Sequence, residues 1–457
     1  MSQEKIENPE ILKAINAFSQ NKFHEAEIIC KKILNKDNNP DANHILGCIR
    51  MGERKFDESI SLIEKSLQVT PNNVGVLISL GCAQSSKKDF NKAITTYNKI
   101  ITIKNDISQV HFYLGEAYRQ TQQFNDSLSS FKRCLELAPD HIGCQLMIGI
   151  IYEELREFDT AIDFYKSCID TYPEYTEPHI NLGMCYLLTG NYEDGWHEYE
   201  WRLKLPMKTY QLKLDEKKEW TGQDLAGKKV LVVAEQSIGE TFQFIRFAKQ
   251  LAMDGAKVTV LSQDKTLEIL KEQSWIDCVL KYGDELPEYD FYSYIISIAK
   301  VLEWSPSMDT QKHPYLSLND NKLTKDNNKK RLGFLIDPDS KLATYNQMDV
   351  PKVRFMELFC SSGYEIVNLS DFTDYLELAK TIQNLDMVIT IEGDVVHLAG
   401  SLNIPTLLIL PPVPRHTWDL NYLDSTPWYP SVELLRQGKI SDWTSIFDYI
   451  NKRIFHV

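Results

Sequence analysis

Apolar and polar positions over the first two hundred residues follow the period of amphipathic helices. Residues 107–119 and 125–137 place apolar side chains at i, i+3 and i+4, which predicts a pair of packed helices. The pattern returns every 34 residues, marked by a glycine and, twelve residues later, by a small residue. The glycines are Gly47, Gly81, Gly115, Gly149 and Gly183, and the small residues are Ser59, Ala93, Ser127, Ala161 and Gly195. We expect five helix pairs, with a looser first pair around Ala14 and Ala26.

A large side chain follows each small residue by four positions. These side chains are Ile63, Tyr97, Phe131, Tyr165 and Tyr199. We expect the glycine and the small residue to let the helices of a pair approach closely, and the large residue to fill the groove to the next pair. Pro71, Pro139 and Pro173 are expected to end the second helix of three pairs. Because one pair alone leaves an apolar face bare, the pairs must stack into a solenoid.

Beyond residue 205, short apolar runs alternate with amphipathic segments, which is typical of a parallel sheet covered by helices. The first series of predicted strands is 228–235, 256–262, 278–280 and 291–297, and the second is 332–336, 364–369, 387–391 and 406–410. The predicted helices are 242–253, 351–361, 373–384 and 394–402. We therefore predict an α-solenoid over 1–205 and two Rossmann-like α/β halves over 206–318 and 319–457, joined by the polar segment 319–330.

Composition narrows the class of protein. A chain of 457 residues with 43% hydrophobic and 25% charged residues is typical of a folded protein with several domains. A net charge of −14 argues against nucleic acid as a partner. The sequence has no long uncharged apolar run, so we expect no transmembrane segment and a cytoplasmic protein. Nine scattered cysteines without a CxxC pair predict buried thiols and no metal site.

Candidate chemistry lies where predicted strands end, because open parallel sheets bind ligands at those ends. The first strand is followed by Gln236, Ser237 and Gly239, with Gly239 expected at the turn. Glu240 then opens a helix and has two interpretations. It is either a general base that deprotonates an acceptor hydroxyl, or a first-turn acid that complements the helix dipole.

A second candidate loop follows the predicted strand 387–391. Gly393 is expected at a turn and Asp394 near a helix N-cap, where backbone N–H groups can hold a diphosphate. His397 lies one helical turn further on and has two interpretations, a donor to a phosphate or ribose oxygen or a structural histidine. Asp337 and Asp339 likewise allow either a divalent-metal pair or a turn, and the turn is favoured.

The glycine, small, large and proline positions resemble the tetratricopeptide repeat family over about residues 10–205. The resemblance implies a superhelix whose concave groove binds a protein or peptide. The alternatives are repeats that only hold the C-terminal part of the chain, or that form a homo-oligomer.

Segments 196–202, 235–247, 397–400, 425–430 and 435–437 resemble bacterial repeat proteins fused to a GT-B glycosyltransferase domain, similar to the heptosyltransferase family. The resemblance implies metal-independent, inverting transfer of a sugar from a nucleotide-sugar to a protein acceptor, without a further cofactor. It implies Glu240 as the catalytic base and Gln236, Ser237, Gly239 and Gln243 as the acceptor-side loop. The donor-binding residues implied are Gly393, Asp394, His397, Gly400, Trp428, Tyr429 and Arg436.

The chain departs from the family at both loops. Ser237 and Glu240 stand where the family has glycine and aspartate, and Glu392-Gly393-Asp394 stands for Asp-Thr-Ala. Two acids would lie beside the diphosphate, which is electrostatically unfavourable. The alternative function is therefore a scaffold whose GT-B-like domain is catalytically degenerate.

Overall fold

A computed structural model describes residues 9–207, 212–308, 313–318, 330–341, 343, 350–439 and 442–455. Apart from Lys330, the predicted linker 319–330 lies outside these residues. Contacts divide the chain into two units, Met1–Pro173 and Glu174–Val457. The domain boundaries expected at 205 and 318 stay predictions.

The first unit is a helical solenoid built from pairs of antiparallel helices. Its helices are α1 (Pro9–Ser19), α2 (Phe23–Leu34), α3 (Pro40–Gly52), α4 (Phe56–Val69), α5 (Val74–Ser86), α6 (Phe90–Ile103), α7 (Ser108–Gln120), α8 (Phe124–Leu137), α9 (Ile142–Glu154) and α10 (Phe158–Thr171). Helices α4, α8 and α10 each end two residues before Pro71, Pro139 and Pro173, as predicted. A further pair, α11 (Thr176–Thr189) and α12 (Tyr192–Tyr199), continues the pattern within the second unit.

The repeated glycine makes room for the large side chain of its own pair. A Cβ atom added to Gly81 would lie 2.3 Å from the ring of Tyr97, and one added to Gly115 would lie 2.8 Å from the ring of Phe131. Tyr97 also stacks on Tyr113 of the following pair, with ring centroids 5.9 Å apart. The large residue therefore fills the space inside its own pair as well as the predicted groove to the next one.

The second unit contains two parallel sheets. The first sheet has the order β3-β2-β1-β4, and its strands are β1 (Lys229–Val233), β2 (Lys257–Ser262), β3 (Cys278–Lys281) and β4 (Phe291–Tyr294). Helix α13 (Ile238–Met253) follows β1, and the short helices α14 (Leu267–Lys271) and α15 (Ser297–Val301) follow β2 and β4. Strand β1 lies between β2 and β4, so the strand order reverses there.

The second sheet has the order β6-β5-β7-β8-β9, with all neighbours parallel. Its strands are β5 (Arg331–Leu335), β6 (Glu365–Asn368), β7 (Met387–Ile391), β8 (Thr406–Leu410) and β9 (Val432–Arg436). Its helices are α16 (Lys352–Ser361), α17 (Tyr375–Gln383), α18 (Asp394–Ser401) and α19 (Thr444–Phe455). Both orders are those of doubly wound α/β sheets. All eight predicted strands are present, and the sequence reading missed β9.

Helices α11 and α12 pack against the α/β part of the second unit. The indole Nε1 of Trp196 donates to the carbonyl of Trp304 at 2.9 Å, and the backbone N–H of Leu420 donates to Leu188 at 3.0 Å. Trp196 belongs to the apolar core that runs through both sheets. Among the helices that the structure describes, none combines the length and apolar character needed to span a bilayer.

Candidate functional site

The first-unit helices that open each pair are in contact with one another in series, α1 with α3, α3 with α5, α5 with α7 and α7 with α9. Side chains one repeat apart meet along this row. His44 Nε2 lies 2.8 Å from Ser79 Oγ, and Arg119 donates to Glu154 at 2.7 Å. These helices therefore form one continuous face of the solenoid, which we call the inner face.

The end of β1 holds a buried ion pair. Glu235 follows β1 and is fully buried, and Arg202, which is 1% exposed, donates to both of its carboxylate oxygens at 2.9 and 3.2 Å. Arg202 also donates to Ser297 Oγ, 2.8 Å away and next to the end of β4. The ion pair therefore joins the segment after α12 to the two strands where the order of the first sheet reverses.

Glu240 lies in the first turn of α13 and forms a capping box with Ser237. Ser237 Oγ donates to Glu240 Oε2 at 2.8 Å and accepts from the Glu240 backbone N–H at 3.2 Å. This arrangement agrees with the structural interpretation of Glu240. Gly239 is not at the turn as expected. It is the second residue of α13, and Gln236 instead takes the left-handed backbone conformation, with φ 53°.

The N-terminal ends of α13 and α18 lie side by side. The Asp394 carboxylate, on the first residue of α18, accepts from the backbone N–H of Gly239 at 2.8 Å and from the Tyr375 hydroxyl at 2.5 Å. A Cβ on Gly239 would lie 2.9 Å from both Asp394 Oδ1 and the His397 ring, so glycine permits this close approach. An acidic side chain of the protein therefore occupies the end of α13.

His397 and Gly400 face Tyr429. The His397 Nδ1 atom lies 2.9 Å from the Tyr429 hydroxyl, and a Cβ on Gly400 would lie 2.4 Å from the Tyr429 ring. His397 also stacks on Trp418, with ring centroids 5.4 Å apart. Burial, with Arg415 and Arg246 nearby, lowers the pKa of His397 to about 3, so the ring is neutral. These contacts agree with the structural interpretation of His397.

Trp428 packs on another tryptophan, and Arg436 is hydrogen-bonded to backbone carbonyls. Trp428 is 3% exposed and stacks on Trp304 with centroids 4.0 Å apart. The Arg436 Nη2 atom donates to three carbonyls of one loop, those of Trp418, Asp419 and Tyr422, at 2.9–3.2 Å. The donor-binding roles implied for Trp428 and Arg436 stay predictions.

Several buried polar side chains at this junction have atoms without a hydrogen-bond partner among the described residues, and Gln243 and Glu392 are two of them. Gln243, on α13, is fully buried and neither amide atom is hydrogen-bonded. Glu392, which follows β7, is 2% exposed and its Oε2 atom has no partner among the described residues. Burial raises the pKa of Glu392 to about 7, against the opposing effect of Arg415. Unpaired buried polar atoms are rare in native proteins and call for an explanation.

Arg415 and His416, in the loop after β8, were missed by sequence reasoning. The His416 ring lies 4.8 Å from that of Tyr199, between centroids. Burial and the nearby Arg415 lower the pKa of His416 to about 3. The position of Arg415 and His416 just beyond a strand end, in the segment Pro-Pro-Val-Pro-Arg-His, is the signal that could have identified them.

The Asp337–Asp339 segment forms the turn that we favoured. The backbone N–H of Asp339 donates to Asp337 Oδ1 at 3.0 Å, and Lys352 donates to the same carboxylate at 2.7 Å. The lysine lowers the pKa of Asp337. The first aspartate is therefore engaged by a lysine and by the turn itself.

Family models described as tetratricopeptide repeat match residues 74–107, 108–141 and 144–175. This part of the chain consists of tetratricopeptide repeats. The presence of these repeats supports the interpretation of this part of the chain as a protein-binding scaffold. No curated protein matches the chain.

Several solved structures resemble part of the chain. A crystal structure of MamA is 22% identical and covers 35% of this chain and 92% of its own, with a TM-score of 0.32. YrrB, described as a TPR protein with an unusual peptide-binding site, is 19% identical and covers 37% of this chain and 88% of its own, with a TM-score of 0.35. MamA from Desulfovibrio magneticus RS-1, from residue 41 onward, is 14% identical and covers 37% of this chain and 98% of its own, with a TM-score of 0.35.

The structure brings most of the predicted α/β site residues to one junction. Gly239, Asp394, His397, Gly400 and Tyr429 are linked by direct contacts. Glu240 and Gln236 lie on the first-sheet side of this junction, where Tyr199 donates to Gln236 at 3.4 Å. The predicted residues are therefore neighbours, as one site requires, although many of them are buried.

Proposed function

We propose that the chain is a scaffold whose tetratricopeptide repeats bind an extended protein or peptide segment along the inner face, and whose α/β unit is a GT-B-like module without transferase activity. The proposal rests on the apolar character of the inner face. Helix α5 has no acidic or basic residue, and α9 has none before Glu153. Apart from the two glutamates at the end of α9, neither helix has the charged face that is usual where a helix is open to water.

Several apolar side chains of the helices that form the inner face are half-buried in the first unit. They are Ile78, Phe112, Tyr113, Met147 and Ile150. Repeats place equivalent residues at a constant spacing, so a chain lying across the helices meets these side chains in succession. Charged groups lie at the α7–α9 end of the same face, where Arg119 donates to Glu116 and Glu154. The partner expected is an extended segment with apolar side chains.

A peptide library displayed on phage tests this proposal. Peptides selected on the full chain should lose at least about tenfold in affinity to an Ile150→Glu variant, because a charge would be buried on binding. The matched control is Ile103→Glu on α6, where Ile103 is 41% exposed. Peptides that bind both variants equally well would place the binding surface elsewhere.

The proposal that the α/β unit lacks transferase activity rests on the contacts that its candidate site residues make within the protein. Glu240 is engaged in the capping box, Asp394 binds the end of α13, and His397 contacts Tyr429. The Asp394 contact joins the two sheets of the unit, whereas the other two contacts lie within one half of it. A nucleotide-sugar would have to displace several of them.

Sugar transfer is the second candidate function, and the unpaired polar atoms of Gln243 and Glu392 favour it. Both lie at the junction where a GT-B domain would hold its donor and acceptor. A carboxyl group whose pKa is near 7 is also suited to proton transfer at neutral pH. A ligand in this junction would supply the missing hydrogen bonds.

Thermal shift of the full chain with UDP-, GDP-, CMP-, ADP- and dTDP-sugars separates the two candidates, because a ligand that binds the folded state stabilises it. Tryptophan fluorescence reports the second unit, since every tryptophan lies between Trp196 and Trp443. A shift followed by turnover that Glu240→Gln abolishes would establish transfer. Glutamine preserves the capping box, and the exposed Glu268→Gln is the control. No shift with any sugar supports the scaffold.

A further inference from the structure

Two cysteines and a histidine of the first unit come together at the turn between α8 and α9. One ligand atom from each of Cys134, His141 and Cys144 lies within 4.8 Å of the other two. Cys134 is in the last turns of α8, His141 is the N-cap of α9, and Cys144 is in the first turn of α9. The three residues are the only such group among the described residues.

We propose that Cys134, His141 and Cys144 bind one zinc ion. Thiolate sulfur and imidazole nitrogen are the ligands that zinc prefers, at about 2.3 and 2.1 Å. In a tetrahedral site these bond lengths place the ligand atoms roughly 3.6–3.8 Å apart, so atoms that now lie within 4.8 Å of one another would draw together by up to about 1 Å. Three protein ligands leave the fourth tetrahedral position for water or another ligand.

The net charge of a zinc ion bound by these three ligands suits the apolar surroundings of the two thiols. Both thiols are fully buried and pack in a cluster with Phe131, Ile148 and Ile151. Zinc with two thiolates and a neutral imidazole has no net charge, whereas a monovalent ion with the same ligands would leave one negative charge in an apolar cluster. Binding displaces two thiol protons to solvent, so charge and protons balance. We therefore favour a divalent ion.

His141 is held in place and is the ligand nearest to solvent. Its ring stacks on Phe112 with centroids 5.0 Å apart. Its Nδ1 atom accepts from the backbone N–H of Cys144 at 3.3 Å, and because a neutral imidazole has a single free lone pair, zinc binding would replace this hydrogen bond. The residue is half-buried, whereas both thiols are inaccessible. An ion would enter past the imidazole.

The experiment is a zinc titration of the full chain, followed by native mass spectrometry and by cobalt substitution with its thiolate-to-cobalt absorption. The exposed Cys278 and Cys360 are first replaced by serine to remove adventitious thiol ligands. We expect one ion per chain and a gain in thermal stability measured by circular dichroism. Cys134→Ser and His141→Asn should each weaken binding by at least about tenfold. Asparagine keeps the N-cap of α9, so this variant separates zinc binding from folding.

Cys168→Ser is the matched control, because Cys168 is equally buried in the same unit and outside the group. It should bind zinc like the parent chain. A folded parent that binds no zinc would overturn the proposal. Binding that survives both Cys134→Ser and His141→Asn would also overturn it.

Discussion

The backbone N–H of Gly239 donates a hydrogen bond to the carboxylate of Asp394 at 2.8 Å, although 155 residues separate the two. The contact joins the first turn of α13 to the first residue of α18, and so connects the two sheets of the second unit. Burial raises the pKa of Asp394 above its ordinary value, and the hydrogen bonds from Tyr375 and Gly239 oppose that rise.

Asp394→Asn should lower the free energy of unfolding of the second unit by about 1 kcal/mol, because asparagine keeps the shape but has one acceptor oxygen for the two donors, Gly239 and Tyr375. Urea unfolding followed by tryptophan fluorescence measures the change. Asp424→Asn is the control, since Asp424 is exposed and should change stability by less than about 0.5 kcal/mol. Equal effects of the two variants would show that the carboxylate contributes nothing here.

Glu392 should make the second unit less stable as pH rises. Burial raises its pKa from 4.5 to about 7, so its contribution is fully present below about pH 4.5 and is lost as pH rises through 7. The glutamine of Glu392→Gln stays neutral at every pH. The free energy of unfolding of this variant relative to wild type should therefore rise by about 3 kcal/mol as pH rises from about 4.5 to above 7. The comparison is made by urea unfolding at several pH values.

The pH dependence of wild type alone is not a test of Glu392, because His397 and His416 act in the opposite direction. Their pKa values are lowered to about 3, so their contribution is present above about pH 6.5 and is lost as pH falls. The contributions of His397 and His416 cancel in the difference between the free energies of unfolding of wild type and Glu392→Gln. Glu268→Gln should show no such trend, and a Glu392→Gln curve parallel to wild type would contradict the prediction.

Gly81→Ala should destabilise the repeats by about 1–3 kcal/mol, because its Cβ would lie 2.3 Å from the Tyr97 ring. Gly52→Ala is the matched control, since a Cβ at Gly52, the last residue of α3, meets no atom within 4 Å. It should raise stability by about 0.5–1 kcal/mol. Far-UV circular dichroism follows both. The same sign for both variants would refute the packing role of Gly81.

Arg202→Met should cost the second unit about 3–5 kcal/mol, because it leaves the Glu235 carboxylate buried without its arginine. Adding Glu235→Gln removes that charge and should recover part of the loss. Lys229→Met is the control, as Lys229 pairs with Glu288 at the surface and should matter little. A similar loss for Lys229→Met, measured by tryptophan fluorescence, would contradict this account.

The sequence predicted the secondary structure well where burial is regular. Strands β7 and β8 have the predicted bounds, because a strand buried on both faces is a continuous apolar run between turns. Strand β9 was missed because it lies at the sheet edge and carries Glu433 and Arg436, which interrupt the apolar run. The candidate loops were placed at strand ends correctly, but the partners of their side chains were not predicted.

By itself the sequence determined the repeats, because each helix pair packs mainly on its neighbours and the same glycine, small and large residues return every 34 positions. It also determined that alternating strands and helices follow. Only the tertiary structure decided that Asp394 meets Gly239, that burial raises the pKa of Glu392, and that Cys134, His141 and Cys144 converge. Such relationships depend on which side chains meet and on the exclusion of water, which a local pattern does not specify.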